Sequence, residues 1–263
     1  MKIKFMMIAA LMLLGAGAAR AQYAHFPVAG TIEYEKTVHV KNFMKRHLSM
    51  SKDEGFDRTY IEQLMAKAPD SYVFKNKMMF NGSESRYEPI KEERTGIMRS
   101  IMWFGFDYET TYYKDIKNGI FRSVADYVGS NILTQDSLLK VKWKITDEYR
   151  TIAGYNCRRA NGVVLDSVFI VAFYTDEIPL SSGPGAFHGL PGMILGVAVP
   201  EQHYNIYATK VNFIQPQVMA EMGKKKDKPM TRAELKTFLY DRMRVGDWNT
   251  EQQFNFLLTG LYL

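Results

Sequence analysis

Cysteine is almost absent from this sequence of 263 residues, in which Cys157 is the single example. One thiol excludes an intramolecular disulfide framework and a zinc site built from several cysteines. Hydrophobic residues make up 46% of the chain and charged residues 24%, an ordinary globular composition that excludes a disordered or coiled-coil protein. The sequence therefore predicts a globular protein stabilised by an apolar core.

Long apolar runs are also missing, and the one short run at the N-terminus has the features of an export signal. Two lysines precede an apolar stretch of about ten residues, and Ala19-Arg20-Ala21 resembles a cleavage site. The stretch is too short to anchor a protein in a bilayer, and no later run approaches 18 residues. We therefore expect a signal peptide over 1–21 and an exported mature chain over 22–263, without a transmembrane segment, in the periplasm or associated with the outer membrane.

A strong excess of charge of one sign is missing as well. The chain has 34 Lys and Arg against 28 Asp and Glu, and removal of the signal peptide leaves 31 against 28. This balance argues against a nucleic-acid partner, which requires a clustered basic face. The one basic run, over residues 224–228, is typical of a solvated loop; a docking patch for an acidic partner or an anionic lipid surface is the alternative.

Motifs of the common enzyme classes are not found. The sequence has no Gly-x-Ser-x-Gly elbow, no phosphate-binding Gly-x-x-x-x-Gly-Lys-Ser/Thr loop and no His-Glu-x-x-His helix. No two of its five histidines are four residues apart, so none of them pair on one face of a helix as metal ligands. We therefore predict no cofactor and no metal site.

The hydrophobic pattern predicts a sheet of many short strands. Alternating or continuous apolar stretches predict strands at 30–41, 71–80, 83–89, 108–115, 119–127, 142–149, 151–160, 168–175 and 204–213. Asn81-Gly82 and Asn161-Gly162 are typical of tight turns. Short strands separated by turns favour an antiparallel meander.

Two segments have helical spacing instead. They are residues 56–67 and 232–244, the second preceded by Thr231 and Glu234 in a capping-box pattern. Its apolar stripe, expected to pack on the sheet, consists of Leu235, Phe238, Leu239 and Met243. The predicted fold is a β-rich α+β domain: a single strongly curved antiparallel sheet, a half-barrel like that of lipoprotein carriers, with one or two packed helices.

The most unusual stretch covers residues 179–197, which contain five of the 19 glycines and three of the nine prolines. Glycine permits positive φ and proline fixes φ, so the backbone is expected to follow a specific tight path. One interpretation is a structural plug that turns apolar side chains inward. The other is a loop presented to a ligand or partner, with the candidate residues Phe187, His188, Gly189, Leu190, Pro191, Gly192 and Met193.

Part of this stretch resembles the signature of a known family. Gly189-Leu190-Pro191-Gly192-Met193-Ile194 is similar to the Gly-Leu-Pro-Gly-Leu-Ile motif of the GLPGLI family, with Met193 replacing the second Leu. The resemblance extends to residues 30–34, 143–145, 152–160, 173–179 and 183–184. Membership would imply a secreted protein of Gram-negative bacteria, and it would imply no established activity.

Two functions remain open from the sequence. The first is an envelope binding or accessory protein that holds an apolar small molecule or a segment of an envelope protein on an aromatic-rich concave sheet. The second is an envelope hydrolase that uses His188 with Asp176 or Glu177, because polar residues on rigid loops are typical catalytic positions. The two carboxylates are adjacent, so in an extended chain they point to opposite faces and make a poor acid–base pair.

Cys157 lies in a predicted strand with Ala153 and Tyr155 on the same side. A small buried hydrophobe is the favoured interpretation, because free cysteine is often buried and inert. A reactive thiol is the alternative, which alkylation of the native protein would test.

Overall fold

The structure is a computed structural model, and it describes residues 27–263 except 52–55, 94–95, 103, 106, 108, 128–129, 224–226, 244 and 246–249. The expected signal peptide and most of the basic run lie outside the described residues. So do Tyr108 and Arg244, at which one expected strand begins and one expected helix ends.

A single antiparallel sheet of eleven strands organises the described residues. In chain order the strands are β1 (Ala29–Val38), β2 (Tyr72–Asn81), β3 (Glu84–Pro89), β4 (Thr111–Asp115), β5 (Ile120–Tyr127), β6 (Ser130–Ser137), β7 (Val141–Ile152), β8 (Tyr155–Val164), β9 (Val168–Thr175), β10 (Met193–Val199) and β11 (Tyr204–Asn212). Their order in the sheet is β6-β5-β4-β3-β2-β1-β11-β10-β9-β8-β7. The sheet does not close, so β6 and β7 are its two edges.

The described residues also form five helices. They are α1 (Val40–Met50), α2 (Phe56–Lys67), α3 (Ile97–Met102), α4 (Arg232–Arg242) and α5 (Glu251–Tyr262), with a 3₁₀ turn at Pro200–Gln202. The β-rich α+β class with one antiparallel sheet is confirmed, although one or two helices were expected. Within the described residues, no helix combines the length and apolarity needed to cross a membrane.

The predicted helix α4 is confirmed together with its capping box. Thr231 Oγ1 accepts a hydrogen bond from the backbone N–H of Glu234, whose carboxylate accepts one from the Thr231 N–H. These bonds satisfy backbone donors that a helix start leaves free. Leu235 and Leu239 are buried against β5 and β6, whereas Phe238 is 44% exposed. The apolar stripe is therefore narrower than predicted.

The predicted turn at Asn161-Gly162 is wrong. Strand β8 continues through both residues to a turn at Leu165 and Asp166, which have positive φ. Gly162 serves a different purpose, because a Cβ atom there would lie 2.6 Å from the ring of Trp143. The glycine therefore marks a close approach of an aromatic side chain inside a strand.

Several elements were not predicted. Helix α1 begins at Val40, where a strand was expected to continue, and β10 begins at Met193, inside the expected loop. Strand β10 is buried on both faces, so its sequence lacks the alternation that identifies a half-buried strand. Strand β6 and helix α5 were also missed.

The curvature of the sheet is visible in contacts between strands that are far apart in its order. Strands β11 and β7 are four positions apart, which would separate them by about 19 Å in a flat sheet. Nevertheless, Arg150 of β7 donates a hydrogen bond of 3.2 Å to Tyr207 Oη of β11. The sheet therefore bends enough to bring β7 back towards β11.

The two edges of the sheet differ in how they are covered. At β6, the Met230 N–H donates to the Leu133 carbonyl and the Gln135 N–H donates to the Met230 carbonyl, both at 2.9 Å. The backbone N–H of Arg232 also donates to the Asp136 carboxylate. At β7, no backbone group among the described residues bonds to the outer edge. Residues preceding α4 thus cover one edge, and no described residue pairs with the other.

Candidate functional site

The glycine- and proline-rich segment between β9 and β10 lies across one face of the sheet, where it contacts β3, β4 and β7. It starts with consecutive tight turns, in which the Leu180 N–H donates to the Ile178 carbonyl and the Ser182 N–H donates to the Leu180 carbonyl. Ser182 Oγ then lies 2.8 Å from Ser85 Oγ of β3, on the opposite half of the sheet. This is the geometry expected of a structural plug.

Lys114 of β4 holds this segment in place. Its Nζ donates to the carbonyl oxygens of Gly183, Gly185 and Phe187 at 2.6, 2.8 and 2.8 Å, and its side chain is almost fully buried. Three acceptors match the three hydrogens of an ammonium group. Burial lowers the pKa of Lys114 to about 7, so desolvation opposes the charged form that the three carbonyls favour.

The seven predicted site residues divide into a buried and an accessible group. The buried residues are Phe187, Leu190, Gly192 and Met193. The residues that reach the surface are His188, Gly189 and Pro191. We refer to these three as the loop rim. Only the loop rim is placed to touch a partner, and whether it does so stays a prediction.

The loop rim is attached by two hydrogen bonds, one to β7 and one to Leu139, two residues before that strand. Trp143 Nε1 donates to the His188 carbonyl at 2.9 Å, and His188 Nε2 lies 2.7 Å from the Leu139 carbonyl. Because a carbonyl only accepts, Nε2 carries the proton. A Cβ atom at Gly189 would lie 3.3 Å from Trp143 Nε1, so the loop backbone and the indole are in direct contact.

The surroundings of His188 do not form an acid–base pair. Burial and the nearby positive charge of Lys114 lower the pKa of His188 to about 4, and its Nε2 proton is engaged by Leu139. Asp176 and Glu177 are exposed, and neither bonds to His188 in the described structure. The hydrolase hypothesis therefore gains no support from this geometry.

The lowered pKa of His188 predicts a specific acid sensitivity. The imidazole has an ordinary pKa near 6.5 in the unfolded chain and about 4 in the folded one, so the unfolded state binds more protons between these values. Stability should fall as the pH drops from about 6.5 to about 4. In His188→Gln, which keeps an N–H donor but does not titrate, we expect the free energy of unfolding to fall by about 2 kcal/mol less over this pH range.

Urea unfolding at pH 7, 5.5 and 4.5 measures this effect, with His39→Gln at an exposed histidine as the control. The control should retain the acid sensitivity of the unmodified protein. Identical pH dependence in all three proteins would contradict the neutral, buried imidazole.

Cys157 is fully buried, and its Sγ lies 3.6 Å from the Tyr155 carbonyl. Burial raises the pKa of the Cys157 thiol to about 12, which removes the reactive thiolate at neutral pH. We therefore expect no alkylation by iodoacetamide at pH 8 in the native protein and complete alkylation in denaturant. Mass spectrometry checks this, and labelling of the native protein at the rate of a free thiol would reinstate the reactive-thiol alternative.

The cavities bear on the apolar-ligand hypothesis. A cavity of about 30 Å³ lies beside the glycine- and proline-rich segment, lined by Lys36, Tyr87, Gly185 and Leu263 among others, and no described residue bonds to the Tyr87 hydroxyl there. It is far smaller than typical ligand pockets of about 300–1,000 Å³. An open groove of about 450 Å³ beside β3, β4 and β5 has a lining that includes the charged residues Glu88, Lys91 and Asp126. Neither cavity is a large apolar pocket.

Metal binding gains no positive support either. Within the described ranges, no group of three or more His, Cys, Asp or Glu side chains is arranged to hold a metal ion.

The strand next to the loop rim is β7, which is the longest of the eleven described strands. Of its twelve residues only Ile152 is buried. The first five residues, 141–145, pair with β8 on one side, and a bulge between Ile145 and Tyr149 interrupts the pairing. We call residues 141–145 the β7 edge. The β7 edge and the loop rim together form the candidate functional site.

Sequence reasoning missed the two side chains that organise this site. Lys114 lies two residues after Tyr112 in a predicted strand, so the two side chains share a face, and Tyr112 is buried. A lysine on the apolar face of a strand was the sequence feature that could have identified it. Trp143 was noted only as part of the family resemblance. Its partners, Gly162 and His188, are 19 and 45 residues further along the chain, so no local pattern connects them.

Comparison with known protein families finds a match in this region. Residues 162–196 match Porph_ging, a family of proteins of unknown function. The match covers 35 of the 263 residues and includes β9, the loop and the start of β10. It places part of the chain alongside proteins without a known activity and does not confirm the GLPGLI name. No curated protein matches the chain.

Two solved structures of a protein named PNGF-II resemble the fold. The structure in space group P21 has a TM-score of 0.49 and 16% sequence identity, covering 81% of this chain and 33% of that chain. The structure in space group C2 has a TM-score of 0.44 and 16% identity, covering 77% and 30% respectively. The chain thus spans about a third of the PNGF-II chain.

Proposed function

We propose that this protein is an exported binding or accessory protein of the cell envelope, of the GLPGLI type, whose ligand is a segment of another envelope protein. The observation that carries the proposal is the unpaired β7 edge beside the accessible loop rim. Pairing groups on a strand edge are a ready template for another chain. The face covered by the glycine- and proline-rich segment holds only a small cavity, which favours a protein ligand over an apolar small molecule.

Exposed apolar side chains near this edge support the same function. Ile145 and Tyr149 of β7 are 40% and 56% exposed, and their partners in β8, Ala160 and Arg158, are two residues apart, so both side chains lie on one face of the sheet. Large apolar side chains close together on a surface are typical of protein interaction sites. Val73 of β2 is also exposed, but an isolated apolar side chain on the surface does not indicate an interaction site.

Photo-crosslinking in the producing strain tests this function. A benzophenone amino acid replaces Lys144 at the β7 edge or, as a control, the exposed Lys236 on α4. We expect one discrete protein adduct from position 144 and none from position 236. Equal adducts from both positions, or none from position 144, would contradict the proposal.

Native mass spectrometry of protein purified gently from the envelope separates the two ligand classes. A retained small-molecule mass would favour the apolar ligand instead.

N-terminal sequencing of the same material should begin at Gln22, and a retained Met1 would contradict export through the expected signal peptide.

A further inference from the structure

The β7 edge has the backbone geometry of a strand that lacks one neighbour. Its residues pair with β8 in continuous register, from Val141 opposite Val164 to Ile145 opposite Ala160. In an antiparallel pair, alternate residues direct their N–H and C=O groups away from the partner strand. Five residues in this arrangement present a short row of unpaired donors and acceptors.

The bulge beyond Ile145 limits this row. Arg158 Nε donates to the Thr146 carbonyl, and its guanidinium pairs with Asp147 at 2.6 Å. Arg159 pairs with Glu148 at 2.6 Å. The bulged residues are therefore held by β8, so the surface that can accept a strand ends at Ile145.

Contacts with β8 and with the loop rim hold the β7 edge in a fixed position. The Trp143 ring packs on Gly162 of β8 and donates to His188 of the loop rim. Leu139, just before the strand, accepts from His188. An edge that is already ordered loses little conformational entropy when a second strand pairs with it.

The charge beside this row is positive. Lys140, Lys142 and Lys144 occupy alternate positions, are exposed, and form no ion pair with any described residue. Alternate residues of a strand point to the same face, so Lys142 and Lys144 lie side by side on one face of the edge. An incoming strand would meet two uncompensated ammonium groups there.

The same charges select between two kinds of occupant. If two copies of this chain paired antiparallel about Trp143, Lys142 of each copy would lie opposite Lys144 of the other. Like charges directly opposite each other destabilise strand pairs, whereas opposite charges stabilise them. The edge is therefore matched to a heterologous strand with acidic residues at alternate positions.

We propose that residues 141–145 bind an extended acidic segment of a partner protein as an added antiparallel strand. Acidic side chains of the segment face Lys142 and Lys144, and apolar side chains face Trp143 and Ile145. This inference rests on the proposed function and names the class of its ligand.

Two labelled octapeptides test the proposal by fluorescence anisotropy with the mature protein. One alternates Glu and Val, and the other alternates Lys and Val. We expect the acidic peptide to bind about tenfold more tightly. An acidic peptide that is N-methylated at every second residue should lose binding, because methylation removes the strand hydrogen bonds while leaving the charge.

Charge reversal provides the matched variant. The double substitution Lys142→Glu/Lys144→Glu should reverse the peptide preference, and Lys228→Glu/Lys236→Glu, which changes the net charge equally at exposed positions elsewhere, should not. All these positions are on the surface, so circular dichroism should show unchanged folding.

Equal binding of both peptides, binding that survives N-methylation, or no binding at all would overturn the proposal. A dimer that the acidic peptide does not dissociate would overturn it in favour of self-pairing. A specific crosslink from position 144 together with failure of the peptides would leave the proposed function standing and remove only the strand-addition inference.

Discussion

Replacing Lys114 by methionine is expected to lower the free energy of unfolding by about 3 kcal/mol. Methionine fills a similar volume but donates no hydrogen bond, so the carbonyls of Gly183, Gly185 and Phe187 lose their shared donor inside the protein. Each buried carbonyl without a partner costs about 1 kcal/mol or more. The gain from no longer burying a charged group offsets part of this cost.

Urea unfolding followed by circular dichroism measures the loss, with Lys117→Met as the matched control. Lys117 lies in the turn directly after β4 and its side chain is exposed, so the same substitution there should change stability by less than about 0.5 kcal/mol. Equal midpoints for the two variants would show that the three carbonyls do not depend on Lys114.

Much of the fold follows from local patterns. The helix at Phe56–Lys67 has the predicted bounds, and the hairpin at Asn81-Gly82 turns as predicted, with Gly82 at a φ of 58°. Period-two alternation identified most strands because one face of each is buried and the other is not. These features depend on residues within a few positions of one another.

Elements without an alternating pattern could not be identified in this way. Strand β10 is buried on both faces, and the turn signal at Asn161-Gly162 was misleading because Gly162 makes room for Trp143 across the sheet. Both cases depend on a neighbour distant in sequence. Local propensity carries no information about such neighbours.

The candidate site was predictable only in part. The unusual composition of residues 179–197 correctly located a segment with a constrained path, and His188 lies in the loop rim. The position of the β7 edge could not be predicted, since strand order within a sheet is a tertiary property. The burial of Phe187 likewise follows from the path of the loop across the sheet.

Replacing Gly192 by alanine is expected to lower the free energy of unfolding by about 3 kcal/mol or more. A Cβ atom at this position would lie 2.1 Å from the Thr175 carbonyl oxygen and 3.0 Å from Asp176 Cα. Both are backbone atoms at the end of β9, so no side chain can rotate away. The loop would have to separate from β9, which would break the bond from the Met193 N–H to the Ile178 carbonyl.

Thermal and urea unfolding of Gly192→Ala, compared with Gly119→Ala, separate this steric effect from backbone strain. Gly119 has a φ of +69° but open space where a Cβ atom would lie, so alanine there should cost only about 1 kcal/mol. Gly192 lacks a positive φ, so its larger loss must come from the contact with β9. If Gly192→Ala were instead as stable as the unmodified protein, the glycine would not be required for packing. A role of Gly192 in binding a partner at the loop rim would then be the remaining explanation for a glycine at this position.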